Sequence, residues 1–139
     1  MTVFDVNEKL SPHFTLREFL KDGNPEGLTV EIVANLKSLA IHLEDVRKLL
    51  GNRPLRITSG FRSIQEHLRI YAAMGITDKR RIPMKSYHLY GMAADFMVIG
   101  MSSAAARRIL DPIWPYGMEI GTPHVHLDLR PKKERFPPK

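Results

Sequence analysis

The sequence predicts an α+β domain, with helices packed on a small, mostly antiparallel sheet. Three observations predict it. Helical periodicity fills much of the first half, short strand-like runs fall mostly in the second half, and the two do not alternate as a regular βαβ series. The last point argues against a doubly wound nucleotide-binding fold. A chain of 139 residues with 43% hydrophobic and 26% charged residues suits one globular core, so a single domain over 1–139 is expected.

An irregular arm is expected over 1–28, pinned to the core by Phe14, Leu16, Phe19 and Leu20. Within it, Thr15 followed three residues later by Glu18 is a capping-box pattern for one short helix. Gly23, Pro25 and Gly27 then break the chain. The clearest helix covers 30–50. Val30, Val33, Leu36, Leu39, Ala40, Leu43, Val46, Leu49 and Leu50 recur at spacings of three and four, between a Thr29 N-cap and a Gly51 stop. His42 and Glu44 lie off that stripe.

Residues 54–58 read as a strand closed by Ser59-Gly60. Ser63 and Glu66 form a second capping box, opening a helix whose apolar face is Ile64, Leu68, Tyr71 and Ala72 and whose end is Gly75. A loop over 76–85 carries the basic run Lys79-Arg80-Arg81. A strand follows through Ala94–Val98, then a helix near 103–111 that Pro112 ends. Two strands, about 116–120 and 124–129, are expected as a hairpin around Gly121-Thr122-Pro123. The tail over 131–139, with Pro137-Pro138, reads as frayed.

Composition limits the chemistry. There is no cysteine, which excludes disulfides, zinc fingers, iron–sulfur clusters and thiol nucleophiles. Any metal must be held by Asp, Glu or some of the six histidines. Lys and Arg number 21 against 15 Asp and Glu, a formal charge of +6 that would attract nucleic acid, an anionic membrane surface or an acidic wall polymer. Charge alone does not choose among these. No apolar run is long enough to span a bilayer, so membrane insertion is not expected. The opening Met1-Thr2-Val3-Phe4-Asp5 lacks a basic n-region and an apolar h-region, so the protein is expected in the cytoplasm as synthesised.

Polar chemistry concentrates in two segments. In His124-Val125-His126-Leu127-Asp128-Leu129, period two puts His124, His126 and Asp128 on one strand face and the apolar residues on the other. In Ser86–Asp95, His88 sits in a turn before a strand, and Asp95 opens the apolar run Phe96-Met97-Val98. A carboxylate there is costly unless paired or metal-bound. Two imidazoles and one carboxylate, with water completing the shell, form a catalytic zinc set.

The string Ser86-x-His88-x-x-Gly91-x-Ala93-x-Asp95, followed by His126-x-Asp128, resembles the zinc D-alanyl-D-alanine carboxypeptidases and their peptidoglycan-endopeptidase relatives, M15-type metallopeptidases of the Hedgehog/DD-peptidase fold. Ser59-Gly60-Phe61-Arg62-Ser63 is similar to the motif that precedes their first zinc ligand, and Leu10–Phe19 is similar to the opening of many members. The resemblance implies that His88, Asp95 and His126 hold Zn2+ and that Arg62 binds a substrate carboxylate or carbonyl. It places Ser86 near substrate. It gives His124 a hydrogen bond to the tetrahedral intermediate, with a spectator role as the other reading. Asp128 would orient a ligand histidine or anchor the strand.

Two departures stand out. Well-matched members carry an acidic general base two or three residues before the last histidine ligand, where this chain has His124 and Pro123. Glu119 is the nearest upstream carboxylate. Its neighbours Met118 and Ile120 read as core-facing, so Glu119 should point away from the core; a hairpin would bring it beside His126 as the candidate base, with a surface glutamate as the other reading. The asparagine common after the Arg-Ser pair is also missing, that region reading Glu66-His67-Leu68.

The function implied is hydrolysis of peptidoglycan stem or cross-bridge peptides by a monomeric zinc carboxypeptidase or endopeptidase, such as a phage lysin released at lysis. The competing reading is an inactive zinc-binding relative that binds the cell wall or serves structure. A nucleic-acid partner is not expected, because net charge is its only warrant.

Overall fold

The computed structural model describes residues 3–138. Residues 1 and 2 of the arm and Lys139 of the tail lie outside the described residues. The fold is α+β: three helices pack on a five-stranded mixed sheet, with a small two-stranded sheet beside it.

The arm is more regular than its sequence suggests. Strands β1 (Lys9–Ser11) and β2 (Phe14–Thr15) pair antiparallel, and a 3-10 turn follows at Leu16–Phe19. The Thr15–Glu18 box marks that turn, with the Thr15 backbone N–H donating to Glu18 Oε2 at 2.7 Å. Phe14, Leu16, Phe19 and Leu20 are buried and tie the arm to the core.

Helix α1 (Val30–Leu49) starts at Thr29, whose hydroxyl accepts from the Ile32 N–H, and buries Val33, Leu36, Leu39, Ala40, Leu43 and Val46. Val30 and Leu49, included in the expected stripe, are exposed because the helix turns them off the core face. Strand β3 (Leu55–Ser59) leads to helix α2 (Ile64–Ala73), capped by Ser63. Here the expected apolar face is corrected. Ile64 is exposed, and the one buried residue among those described in α2 is His67.

Strand β4 (Ala93–Val98), helix α3 (Ser103–Leu110) and strands β5 (Gly117–Glu119), β6 (Val125–Asp128) and β7 (Glu134–Phe136) complete the chain. The sheet order is β3-β4-β6-β5-β7, antiparallel except for the β5–β7 pair. The link from β5 to β6 covers 120–124, longer than the three residues expected. The tail expected to fray instead forms β7. The reason is Arg135, which donates to the backbone carbonyls of Asp111, Trp114 and Tyr116 and to the Asp111 carboxylate. Those carbonyls follow α3 and need donors, so one side chain both closes the helix end and seats the last strand.

Strand alternation divides the sheet. Ala94, Phe96, Met118, Val125 and Leu127 face the core under α1 and α3. Asp95, Glu119, His126 and Asp128 come from the alternate positions of the same strands and line a cleft on the other face. Each fully buried Leu or Phe of the core stabilises by about 1.5–3 kcal/mol. That favourable burial lets the opposite face collect charge. Among the described residues, no helix is long and apolar enough to cross a membrane.

The arm is also joined to α1 by a carboxylate. Glu44 accepts from the Ser11 hydroxyl at 2.6 Å and from the His13 backbone and ring at 2.7 and 2.6 Å. Burial pushes Glu44 up, but these bonds outweigh it and lower its pKa below the ordinary 4.5. A carboxylate lowered on folding adds stability above its unfolded pKa and loses it as pH falls through the folded one. Glu44→Gln should therefore cost about 1–3 kcal/mol near neutral pH. In urea unfolding, the gap between wild type and variant should narrow as pH drops below the ordinary carboxylate range.

Candidate metal centre

Three neighbouring strands and one turn build the site. His88 lies in a 3-10 turn, Tyr87–Tyr90, capped by Ser86, whose hydroxyl accepts from the His88 N–H at 3.3 Å. Gly91 ends the turn at φ 70, a left-handed conformation that glycine adopts freely. The His88 Nδ1–H donates to the Gly60 carbonyl at 2.7 Å, which leaves Nε2 free and 3.5 Å from Asp95. Gly60 has no room for a side chain, since an added Cβ would meet the Phe19 backbone at 2.7 Å. The arm therefore backs the carbonyl that orients His88.

Asp95 and His126 are direct cross-strand partners in the β4–β6 ladder. His126 Nδ1 is 2.7 Å from Asp95 Oδ1, and its Nε2 is 2.8 Å from Asp128 Oδ2. Asp128 has no exposed surface. Its second partner is Arg130, whose Nε and Nη2 donate to the two carboxylate oxygens at 2.7 Å each. Arg130 also pairs with Glu134 and stacks over the Phe136 ring, 4.2 Å from its centroid.

The electrostatics follow from this packing. Burial pushes Asp95 up, but the hydrogen bond from His126 and the nearby imidazole of His88 overcome it and hold Asp95 well below the carboxylate range. Burial likewise opposes the charged forms of His126 and Asp128. Bonds from Asp128 and Asp95 nevertheless raise His126 to about 9, and bonds from His126 and Arg130 lower Asp128 to about 2. The centre is thus a charge-balanced cluster, in which the Asp95 and Asp128 carboxylates face the His126 imidazolium and the Arg130 guanidinium.

The donor set fits a divalent metal. His88, Asp95 and His126 each offer one ligand atom, and these atoms lie within 4.8 Å of one another. Two imidazole nitrogens and a carboxylate oxygen are zinc-type donors. A metal taken up at His126 Nδ1 would release its proton, while Nε2–H continued to donate to Asp128, the usual outer support of a ligating histidine.

The other expected residues lie around this centre. Glu119 is the direct cross-strand partner of His126 in the β5–β6 ladder, so the two occupy one face. Met118 beside it is buried as expected, whereas Ile120 is exposed because the strand has ended. His124 Nε2 lies 3.7 Å from both Glu119 and Asp95. The His124 carbonyl accepts from Arg107 and Thr122 at 2.8 Å each. Arg62 stands at the wall of the cleft, its backbone N–H donating to the His88 carbonyl at 3.0 Å. The cleft spans about 740 Å3 and also takes in Ser86.

Residues overlooked in the sequence include Arg130, Phe136 and the Gly60 carbonyl. Arg130 carried a usable signal, because it stands two residues beyond Asp128 on the same strand parity. Phe136 carried none, because its place depends on β7 docking in parallel beside β5.

The model of the Peptidase M15 family matches residues 12–128 of the chain. Among curated proteins, none matches it.

His88→Ala should abolish stoichiometric zinc binding. Asp128→Asn should weaken it by about 10- to 100-fold while leaving the stoichiometry at one. Gly117→Ala should act in the same direction as Asp128→Asn, because an added Cβ there would collide with the Asp128 carboxylate and Arg130. Competition with a chromogenic chelator measures all three.

Proposed function

The chain belongs to the M15 peptidase family, and from that premise we propose that it is a zinc-dependent hydrolase of bacterial peptidoglycan. It would cut a stem or cross-bridge peptide as a carboxypeptidase or endopeptidase. At the coarser level it is a metallopeptidase with a peptide substrate. The observation that supports hydrolysis is Glu119 facing His126 across the ladder, in one cleft with His88, Asp95 and Arg62, and the resemblance of the motifs supports peptidoglycan as the substrate.

Zinc held by His88, Asp95 and His126 would supply Lewis acidity toward the scissile carbonyl and acidify water. Glu119 accepts the proton of the attacking water as the new C–O bond forms. It returns that proton to the amine as the C–N bond breaks. His124, between Glu119 and Asp95, donates to the oxygen of the tetrahedral intermediate. Arg62 presents its guanidinium donors to a substrate carboxylate or carbonyl. Ser86 offers its hydroxyl to the peptide, and Asp128 keeps His126 aimed. Lys85 on the cleft lining and the net charge of +6 favour acidic stem peptides. The same reading makes the protein a monomeric lysin that reaches the wall at phage-driven lysis. Its support is the resemblance of the motifs.

One observation favours a second reading. Pro123 occupies a position where relatives carry an acidic base, as an inactive wall-binding protein would allow. Activity decides between them. Zinc-loaded protein incubated with peptidoglycan of several chemotypes should release fragments with new amino and carboxyl ends, seen by mass spectrometry. His88→Ala should release none. Glu119→Gln should lower kcat by about 100- to 10,000-fold with KM near wild type. A lack of product from every wall, at stoichiometric zinc, would sink the hydrolase and favour the binding protein.

A further inference from the structure

His67 is 1% exposed and sits on a helix that otherwise presents little to the core. A buried imidazole is costly unless its nitrogens are satisfied, and here both are. Nε2 lies 2.7 Å from the Pro83 carbonyl, which can only accept, so Nε2 carries the proton. Nδ1 lies 3.3 Å from Arg62 Nη1, which can only donate, so Nδ1 is the acceptor. The two partners together require one state, the neutral Nε2–H tautomer. The ring also packs on Tyr71, with centroids 5.0 Å apart.

Of the two arginines that line the cleft, Arg130 is paired with Asp128 and Glu134, whereas among the described residues no carboxylate pairs with Arg62. An Asp or Glu at position 67 would hold the guanidinium but neutralise it. A neutral imidazole holds it and leaves the charge available. Burial and the Arg62 charge itself both push the His67 pKa down, which keeps the ring neutral.

We propose that His67 is a positioning residue for Arg62, fixing the guanidinium at the cleft wall while leaving its positive charge to a substrate carboxylate. The inference rests on the peptidase reading of Arg62.

The test uses two amides that mimic the two nitrogens separately. His67→Asn keeps an acceptor near Nδ1, and His67→Gln keeps a donor near Nε2. Kinetics on a cleaved peptide with a free carboxylate, and on its amidated twin, read the effect. His67→Gln should raise KM for the carboxylate peptide by about 10- to 100-fold, with kcat little changed and the amidated peptide unaffected. His67→Asn should stay near wild type, and His67→Gln should add nothing to Arg62→Ala. Equal losses on both peptides, or losses additive with Arg62→Ala, would overturn the proposal in favour of a purely structural His67. If wild type cuts no peptide, the hydrolase reading fails separately. The 15N signal of His67 Nδ1 then decides the positioning, since a signal unmoved by Arg62→Ala overturns it and a shifted one supports it.

Discussion

Asp128 is a carboxylate with no exposed surface, and the organisation of the cleft depends on how it is satisfied. It accepts from His126 on one side and from the fork of Arg130 on the other. A buried anion with one partner removed is strongly destabilising, so the two donors are held as firmly as the acceptor. His126 is thereby aimed at Asp95, and Arg130 is flattened against Phe136. Gly117, directly across the ladder from Asp128, leaves the space in which this ion pair sits. The aim of His126, a cleft wall and a glycine on a neighbouring strand are thus consequences of one buried charge.

The sheet makes this possible by separating its two faces. Core residues and site residues alternate along the same strands, so apolar burial on one side anchors charged groups on the other. The carboxylates of Asp95, Asp128 and Glu119 gather on one face of a chain whose overall charge is positive. Local and global electrostatics therefore serve different ends. The centre suits a cation, and the surface suits an anionic partner.

The parts of this arrangement that sequence reasoning reached are those set by local periodicity. The stripe from Val33 to Val46 marks α1, and the alternation around His126 places it and Asp128 on one face. The flank of Met118 was enough to turn Glu119 toward the cleft, although Ile120 did not behave as its partner. The misses rest on long-range contacts. Strand β7 looks like a basic, proline-rich tail until Arg135 finds three carbonyls 19 to 24 residues earlier. His67 breaks the amphipathic pattern of α2, and only its tertiary partners, Arg62 and Pro83, explain a buried polar ring there. The family match ends at residue 128, before β7, so Phe136 and its neighbours on the cleft wall lie beyond the shared region.

The contact of the arm with Gly60 ties distant parts of the chain together thermodynamically. The Phe61 N–H donates to the Phe19 carbonyl, and the carbonyl of the adjoining Gly60 accepts from His88. Local opening of the arm and loss of the His88 orientation are then one event rather than two. Linkage runs both ways, because any ligand that binds the closed form stabilises all that must be closed with it. Occupancy of the centre should accordingly slow hydrogen exchange in the arm, far along the chain from every ligand, so that the N-terminal segment reports on the state of the site.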